Sequence, residues 1–322
     1  MITIKDIANK LNISHSVVSR ALNPNPDKNA RVSPKTRELV EKTASEMGFR
    51  RNRIAEFMNR GRAATIGVFL PRYSNRLIAD LMMGISEAAA EKGFPLSFYF
   101  GLDYDCYEKF ILDNIRNPGS GIISYPYNIT QSPKLRKLLD KYVHSGGNVL
   151  LLNSNEDIDI IQLNMDEKYG SWLAAECLLE HECDYYLVEN SSDLRAKSFV
   201  AFIEGKGYFD CCKIISSDDF AGEFSKVRRE YARIGVFATI DMNAAAFLPL
   251  IKAEGAEFGN DVFLVGYDDL DLSVALDPPL TTVHQPFYEQ GVKAVEKLFN
   301  MVYGKEEQNA KIEPFLIRRD TA

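Results

Sequence analysis

The sequence is poor in the features that mark secretion, membrane insertion and the commoner kinds of catalysis. Its N-terminus lacks the basic-then-apolar pattern of a secretory signal, and no apolar run reaches the ~18 residues of a membrane span. Such a chain is expected in the cytoplasm, without a membrane partner. Five cysteines, Cys106, Cys177, Cys183, Cys211 and Cys212, are an odd number without C-x-x-C spacing, which fits reduced thiols better than a disulfide framework or a zinc site. Cys177, His181 and Cys183 lie close together, but "WLAAECLLEHECDYYLV" reads as an amphipathic helix running into a strand, so core and surface positions are expected and a metal site is not. There is no glycine-rich dinucleotide or phosphate loop, no G-x-S-x-G elbow and no H-E-x-x-H pair. Asp268 and Asp269 are adjacent, and neighbours at a strand end point apart, which makes a poor acid/base pair. Neither a catalytic residue nor a cofactor is expected.

What is present is an uneven distribution of charge. Residues 1–62 carry 13 Lys and Arg against 6 Asp and Glu, and the remainder 25 against 39, so a head of +7 precedes a body of −14 within a net charge of −7. A basic block on an acidic chain points to nucleic-acid binding by the basic part. Within it, Ile4, Ile7, Ala8 and Leu11 recur at helical spacing behind a capping Thr3. Asn12 tolerates the left-handed turn that follows, and Ser14 can cap a second helix whose apolar members are Val17, Val18, Ala21 and Leu22. A third helix starts with Ser33 as cap and Pro34 at its first position, carries Leu39, Val40, Thr43, Ala44 and Met47 on one face, and ends at Gly48. Three short helices of this kind describe a helix-turn-helix DNA-binding domain. His15, Ser16 and Arg20 on the second helix are placed to reach base edges, where an arginine suits the two acceptors of guanine. Ser14, Ser19, Thr36 and Arg37, with Lys35, suit phosphates.

The stretch "TIKDIANKLNISHSVVSRALN" resembles the N-terminal helix-turn-helix of the lactose-repressor/galactose-repressor (LacI/GalR) family of bacterial transcription regulators. The matching residues are Thr3, Asp6-Ile7-Ala8, Asn12-Ile13-Ser14, Val17-Val18-Ser19-Arg20 and Asn23, with Asn12 in place of a turn glycine and Val17 in place of a threonine. The resemblance implies that Thr3 and Asn23 also belong to the DNA-binding set. It implies too that Asn52 to Asn59 form a hinge helix entering the minor groove, with Asn52 and Ala55 at the DNA and Met58 where the family has an intercalating leucine. Eight residues are too few for an isolated helix, so this one should form only against its dimer mate and DNA.

Beyond the head, "TIGVFLP", "PLSFYF", "GIISYP", "NVLLLN", "YYLVEN", "IGVFATI" and "VFLVGYDD" read as buried parallel strands alternating with amphipathic helices, a doubly wound α/β body. The expected organisation is a helix-turn-helix domain over 1–50, a hinge over 51–63 and an effector-binding and dimerisation body over 64–322. The resemblance implies two subdomains of periplasmic-binding-protein type in that body, about 64–162 with 287–308 and 163–286 with 309–322. A ligand would sit in their cleft, at the C-terminal ends of strands. Family positions give Arg195, whose planar five-donor group suits sugar hydroxyls, and Asp268, the two expected on facing loops. The bland alternative for either is an exposed loop salt bridge. Ile240 stands where the family has a ligand-contacting asparagine, which points to an apolar face on the ligand. Tyr73 and Asn75 are weaker candidates, and Asp103 and Tyr125 weaker still. The function these residues imply is that of a homodimeric repressor of pseudo-palindromic operator DNA, governed by a sugar-like effector. A solute-binding protein without a transcriptional role, or a regulator answering a nucleobase or nucleoside, are the alternatives.

Overall fold

The computed structural model describes residues 2–22, 29, 31–47, 49, 65–72, 75–126, 132–154 and 157–322. The sequence expectations for Asn23, Asn52, Ala55, Met58 and Tyr73 lie outside the described residues.

The head folds as the capping residues dictate. Helix α1 (Ile4–Leu11) starts at a reciprocal capping box: Thr3 Oγ1 accepts from the Asp6 amide at 3.3 Å, and the Thr3 amide donates to Asp6 Oδ2 at 2.8 Å. Asn12 ends α1 with φ 52°, the left-handed turn asparagine accommodates. Ser14 then caps α2 (His15–Ala21) by accepting from the Val17 amide, and Ser33 caps α3 (Pro34–Glu46) by accepting from the Thr36 amide at 3.2 Å. Ile7, Ala8, Val18, Ala21, Val40 and Ala44 close into one small core. Leu39 does not join it. It is half exposed, because one residue before Val40 it lies 100° round the helix, at the margin of the stripe formed by Val40, Thr43, Ala44 and Met47.

The chain divides into two compact units, the first comprising residues 1–71, 87–162 and 293–309, the second 72–86, 163–292 and 310–322. One six-stranded sheet holds β1 (Ile66–Pro71), β2 (Leu96–Gly101), β3 (Gly121–Ser124), β4 (Val149–Leu152), β5 (Ile161–Met165) and β11 (Ala310–Ile312), in the order β11-β5-β4-β3-β1-β2. The other holds β6 (Tyr185–Glu189), β7 (Cys212–Ile215), β8 (Ile234–Phe237), β9 (Val262–Asp268), β10 (Thr281–His284) and β12 (Phe315–Ile317), in the order β12-β10-β9-β8-β6-β7. Pairing is parallel throughout β7-β6-β8-β9-β10 and antiparallel only for β12. The strands missing from the sequence reading, β5, β7, β10, β11 and β12, are short or lie at or next to a sheet edge, where polar residues interrupt the apolar run.

In the first unit α5 (Tyr104–Arg116) and α6 (Pro133–His144) cover the sheet over a core that includes Phe69, Tyr107, Phe110 and Tyr142. In the second unit two clusters build the core: one, with Phe199, Phe237 and Tyr267, draws on α7 (Glu167–Leu179) and α8 (Asp193–Gly205). The other, with Phe220, Phe224 and Phe247, draws on α9 (Phe220–Glu230) and α10 (Asp241–Ala253). A one-turn helix, α11 (Leu272–Ala275), follows β9. Residues 72–86 and 287–292 fall in the second unit, whereas the family resemblance implies that they group with 64–162 and 287–308. The physical reason is a glycine crossing: α4 (Arg76–Glu91) meets α12 (Phe287–Val302) where Gly84 and Gly291 let the backbones touch, and a Cβ at Gly84 would overlap the Tyr288 carbonyl. Cys177 and Cys183 are buried in the core, and His181 stacks on Phe263 at 4.1 Å. Among the described residues no helix is long and apolar enough to cross a membrane.

Candidate functional site

In the head, the polar face of α2 is set by its two buried residues. Val18 and Ala21 face the core, so His15, Ser16 and Arg20 are exposed and Ser19 half-exposed on the other side. Ser14 Oγ lies 3.0 Å from Ser16 Oγ while it caps the helix. Arg37 donates to Asn29 Oδ1 at 3.2 Å and lies 3.9 Å from Glu41, and Thr36 Oγ1 lies 2.7 Å from Ser33 Oγ. Thr3 donates its hydroxyl to Asp6 at 2.7 Å, and that bond holds the Asp6 carboxyl below its ordinary value. Several residues expected to hold phosphates are therefore already fixed in place by their neighbours. Arg20 has no such tie among the described residues.

In the second unit the C-terminal strand ends converge on Arg195. It lies in the first turn of α8, and Asp268 ends β9; the expected pair of facing loops is thus a helix start and a strand end, and both residues are buried deeper than a loop salt bridge would be. Arg195 Nη1 donates to the Thr239 carbonyl at 2.8 Å and to Asp268 Oδ1 at 3.1 Å, and Nη2 donates to Glu167 Oε1 at 3.0 Å. Its guanidinium lies 3.9 Å from the centre of the Tyr267 ring. Arg195 is only 7% exposed, yet its Nε–H has no acceptor among the described residues. Burial pulls its pKa down, but Asp268 and Glu167 outweigh this and hold it above the ordinary value.

Two buried carboxylates stand behind this group. Glu189, at the end of β6, accepts from the Ser191 amide at 2.6 Å and from the Thr239 amide and hydroxyl at 3.1 and 2.8 Å, tying the start of α8 to the loop after β8. Asp241 accepts from the Leu270 amide, Ser273 Oγ and Thr282 Oγ1 at 2.6–2.8 Å, tying α10 to the loop after β9. Asp268 also accepts from Gln285 Nε2 at 2.6 Å. Burial raises Asp268 to about 6 against the pull of Arg195, with Asp241 adding to the rise. Its neighbour Asp269 turns the other way, its carboxylate accepting from His284 Nδ1 at 2.9 Å, Arg319 Nη2 at 2.6 Å and Arg76 Nη2 at 3.3 Å. Burial opposes its ionisation, but these donors win and hold it at about 2. Both residues sit at positive φ, 112° and 50°, a strained turn at the strand end.

The other expected residues are more dispersed. Ile240 is the half-buried N-cap of α10, next to the Thr239 carbonyl that Arg195 uses. Asn75 accepts from the Ile78 amide at 3.2 Å at the start of α4. Asp103 caps α5 through the Cys106 amide at 2.8 Å, and Tyr125 follows β3; both belong to the first unit. Glu167, Gln285 and the Thr239 carbonyl are site groups the sequence reading missed. An acid in a first helical turn looks like an ordinary dipole partner, Gln285 follows a strand not recognised as one, and a carbonyl leaves no mark in a sequence.

A helix-turn-helix head on parallel-sheet units of this kind defines a class: a DNA-binding regulator carrying a periplasmic-binding-protein-like domain. Residues 3–52 match the model of bacterial regulatory proteins of the lacI family, and residues 185–322 match that of the periplasmic binding protein-like domain. The chain thus carries a lacI-family helix-turn-helix domain and a periplasmic-binding-protein-like domain. It is similar to the ribose operon repressor of Lactococcus lactis, 26% identical with 97% of this chain and 95% of the relative covered. It is similar also to the transcriptional repressor CytR of Escherichia coli, 27% identical with 94% and 90% covered. Its fold matches that of the Lac repressor dimer bound to operator and an anti-inducer, at a TM-score of 0.67, 21% identity and 99% and 98% coverage. The regulator CelR in complex with cellobiose matches at 0.66 and 20%, with both chains fully covered.

Proposed function

We propose that the chain is a transcriptional repressor that binds operator DNA as a homodimer and is released or recruited by a sugar-like effector held at the strand ends around Arg195. The observation that carries the effector reading is the Arg195 guanidinium itself, buried, aligned by Glu167 and Asp268, and with its Nε–H left without an acceptor. A ligand hydroxyl supplies an acceptor for Arg195 and a donor for Asp268, the two roles a polyol fills together. The relatives' names support this class of ligand, since they include ribose operon repressors and a cellobiose-bound regulator. In the head, Arg20 reads a base edge while His15 and Ser16 flank it. Ile240 contributes an apolar wall in place of an amide.

A thermal-shift screen against ribose, cellobiose and other free sugars tests the effector reading. At least one sugar should raise the melting temperature of the wild type and leave Arg195→Ala unmoved. Equal shifts in both proteins, or none with any sugar, would remove the effector from this site.

A further inference from the structure

The outer faces of α7 and α8 carry a groove that the strand-end site does not use. It has a volume of about 320 Å³ and is lined by Lys168 and Trp172 of α7, by Ala201, Phe202 and Gly205 of α8, and by Lys206. Its floor is aromatic: the Trp172 and Phe202 rings lie 5.7 Å apart, tilted by 34°. Its rim is cationic. Lys168 Nζ lies 4.9 Å from the centre of the Trp172 ring and Lys206 Nζ 5.1 Å from that of Phe202, each one helical turn along its own helix. Neither ammonium has a carboxylate within ion-pair distance among the described residues, although the body around them carries 39 acidic against 25 basic residues. Gly205 leaves the end of the groove open, since a Cβ there would meet nothing within 4 Å.

We propose that this groove is a second ligand site, taking a small organic anion built on an aromatic ring. The volume is at the lower end of small-molecule pockets, about 300–1,000 Å³. The ring of the ligand adds to the Trp172–Phe202 pair in offset or edge contact, and its acid group replaces solvent between the two ammonium groups. A neutral ring leaves the lysines unpaired, and a compact anion without a ring gains nothing from the floor. That combination sets the class.

Trp172 is the only tryptophan of the chain, so it reports the groove directly. With the full-length protein excited at 295 nm, 8-anilinonaphthalene-1-sulfonate should quench Trp172 saturably, at one site per chain. The neutral N-phenyl-1-naphthylamine should bind at least tenfold more weakly. Lys168→Gln combined with Lys206→Gln should weaken the sulfonate at least tenfold, and Gly205→Leu, which fills open space, should abolish saturable quenching. Arg195→Ala should leave it unchanged, which separates this groove from the strand-end site. Equal affinity for the neutral and sulfonated probes, or wild-type quenching in both the lysine and the Gly205→Leu variants with far-UV circular dichroism unchanged, would overturn the assignment.

Discussion

Asp269 shows how far one side chain can be made to matter. Held at about 2 by His284, Arg319 and Arg76 against the cost of burial, it is bound by fewer protons in the folded chain than in the unfolded one. Its stabilisation is therefore complete above the ordinary carboxylate range and is lost as pH falls from about 4 through 2. Asp269→Asn should cost roughly 2 kcal/mol at pH 7 in urea unfolding, with the gap to the wild type closing at low pH. A gap independent of pH would mean that packing, not charge, is what Asp269 supplies. Asp268 has the opposite sign. Raised to about 6 by burial, it is protonated more readily when folded, so its contribution to stability falls as pH rises from about 4 to 6. An effector hydroxyl that donates to its carboxylate should bind more weakly below pH 6, by calorimetry, and Asp268→Asn should flatten that dependence. Arg195, Asp268 and Ile240 were reachable as candidates through their family positions. Their ties to Glu167, Gln285 and the Thr239 carbonyl were not, since those partners are 28, 17 and 44 residues away along the chain from Arg195 or Asp268.

Helix starts were the most legible elements, because a capping residue and a proline or acid in the first turn mark them locally. Thr3, Ser14 and Ser33 all cap where the sequence places them. Short edge strands were illegible, since three to five residues give too little period to read. Close helix approaches were illegible too, and glycines betray them only once the partner is known. Gly84→Ala should destabilise the protein by about 1–3 kcal/mol, because the new methyl must displace the Tyr288 backbone where α4 meets α12. Gly205→Ala, in open space near a helix end, should be neutral or stabilising by up to about 1 kcal/mol. The pair is best measured side by side by thermal unfolding. Gly170→Ala lies between them: its methyl would press on the Tyr267 hydroxyl, tilt the ring beneath Arg195, and so weaken effector binding along with stability.

At the scale of the molecule, the division of charge is the feature that composition alone conceals. A head of +7 on a body of −14 directs DNA to one end of the chain and repels it from the rest. Operator affinity should accordingly fall steeply with salt, as expected when several phosphates displace counterions. The reading of a specific DNA sequence falls to the exposed face of α2. Its most direct test is selection of bound duplexes from a randomised pool by the full-length protein, with Arg20→Ala in parallel. The wild type should enrich a pseudo-palindromic site, and Arg20→Ala should lose preference at one base pair of each half-site, at a cost of about 1–3 kcal/mol per contact. No enrichment by the wild type, or the same site with unchanged preference in the Arg20→Ala protein, would contradict it.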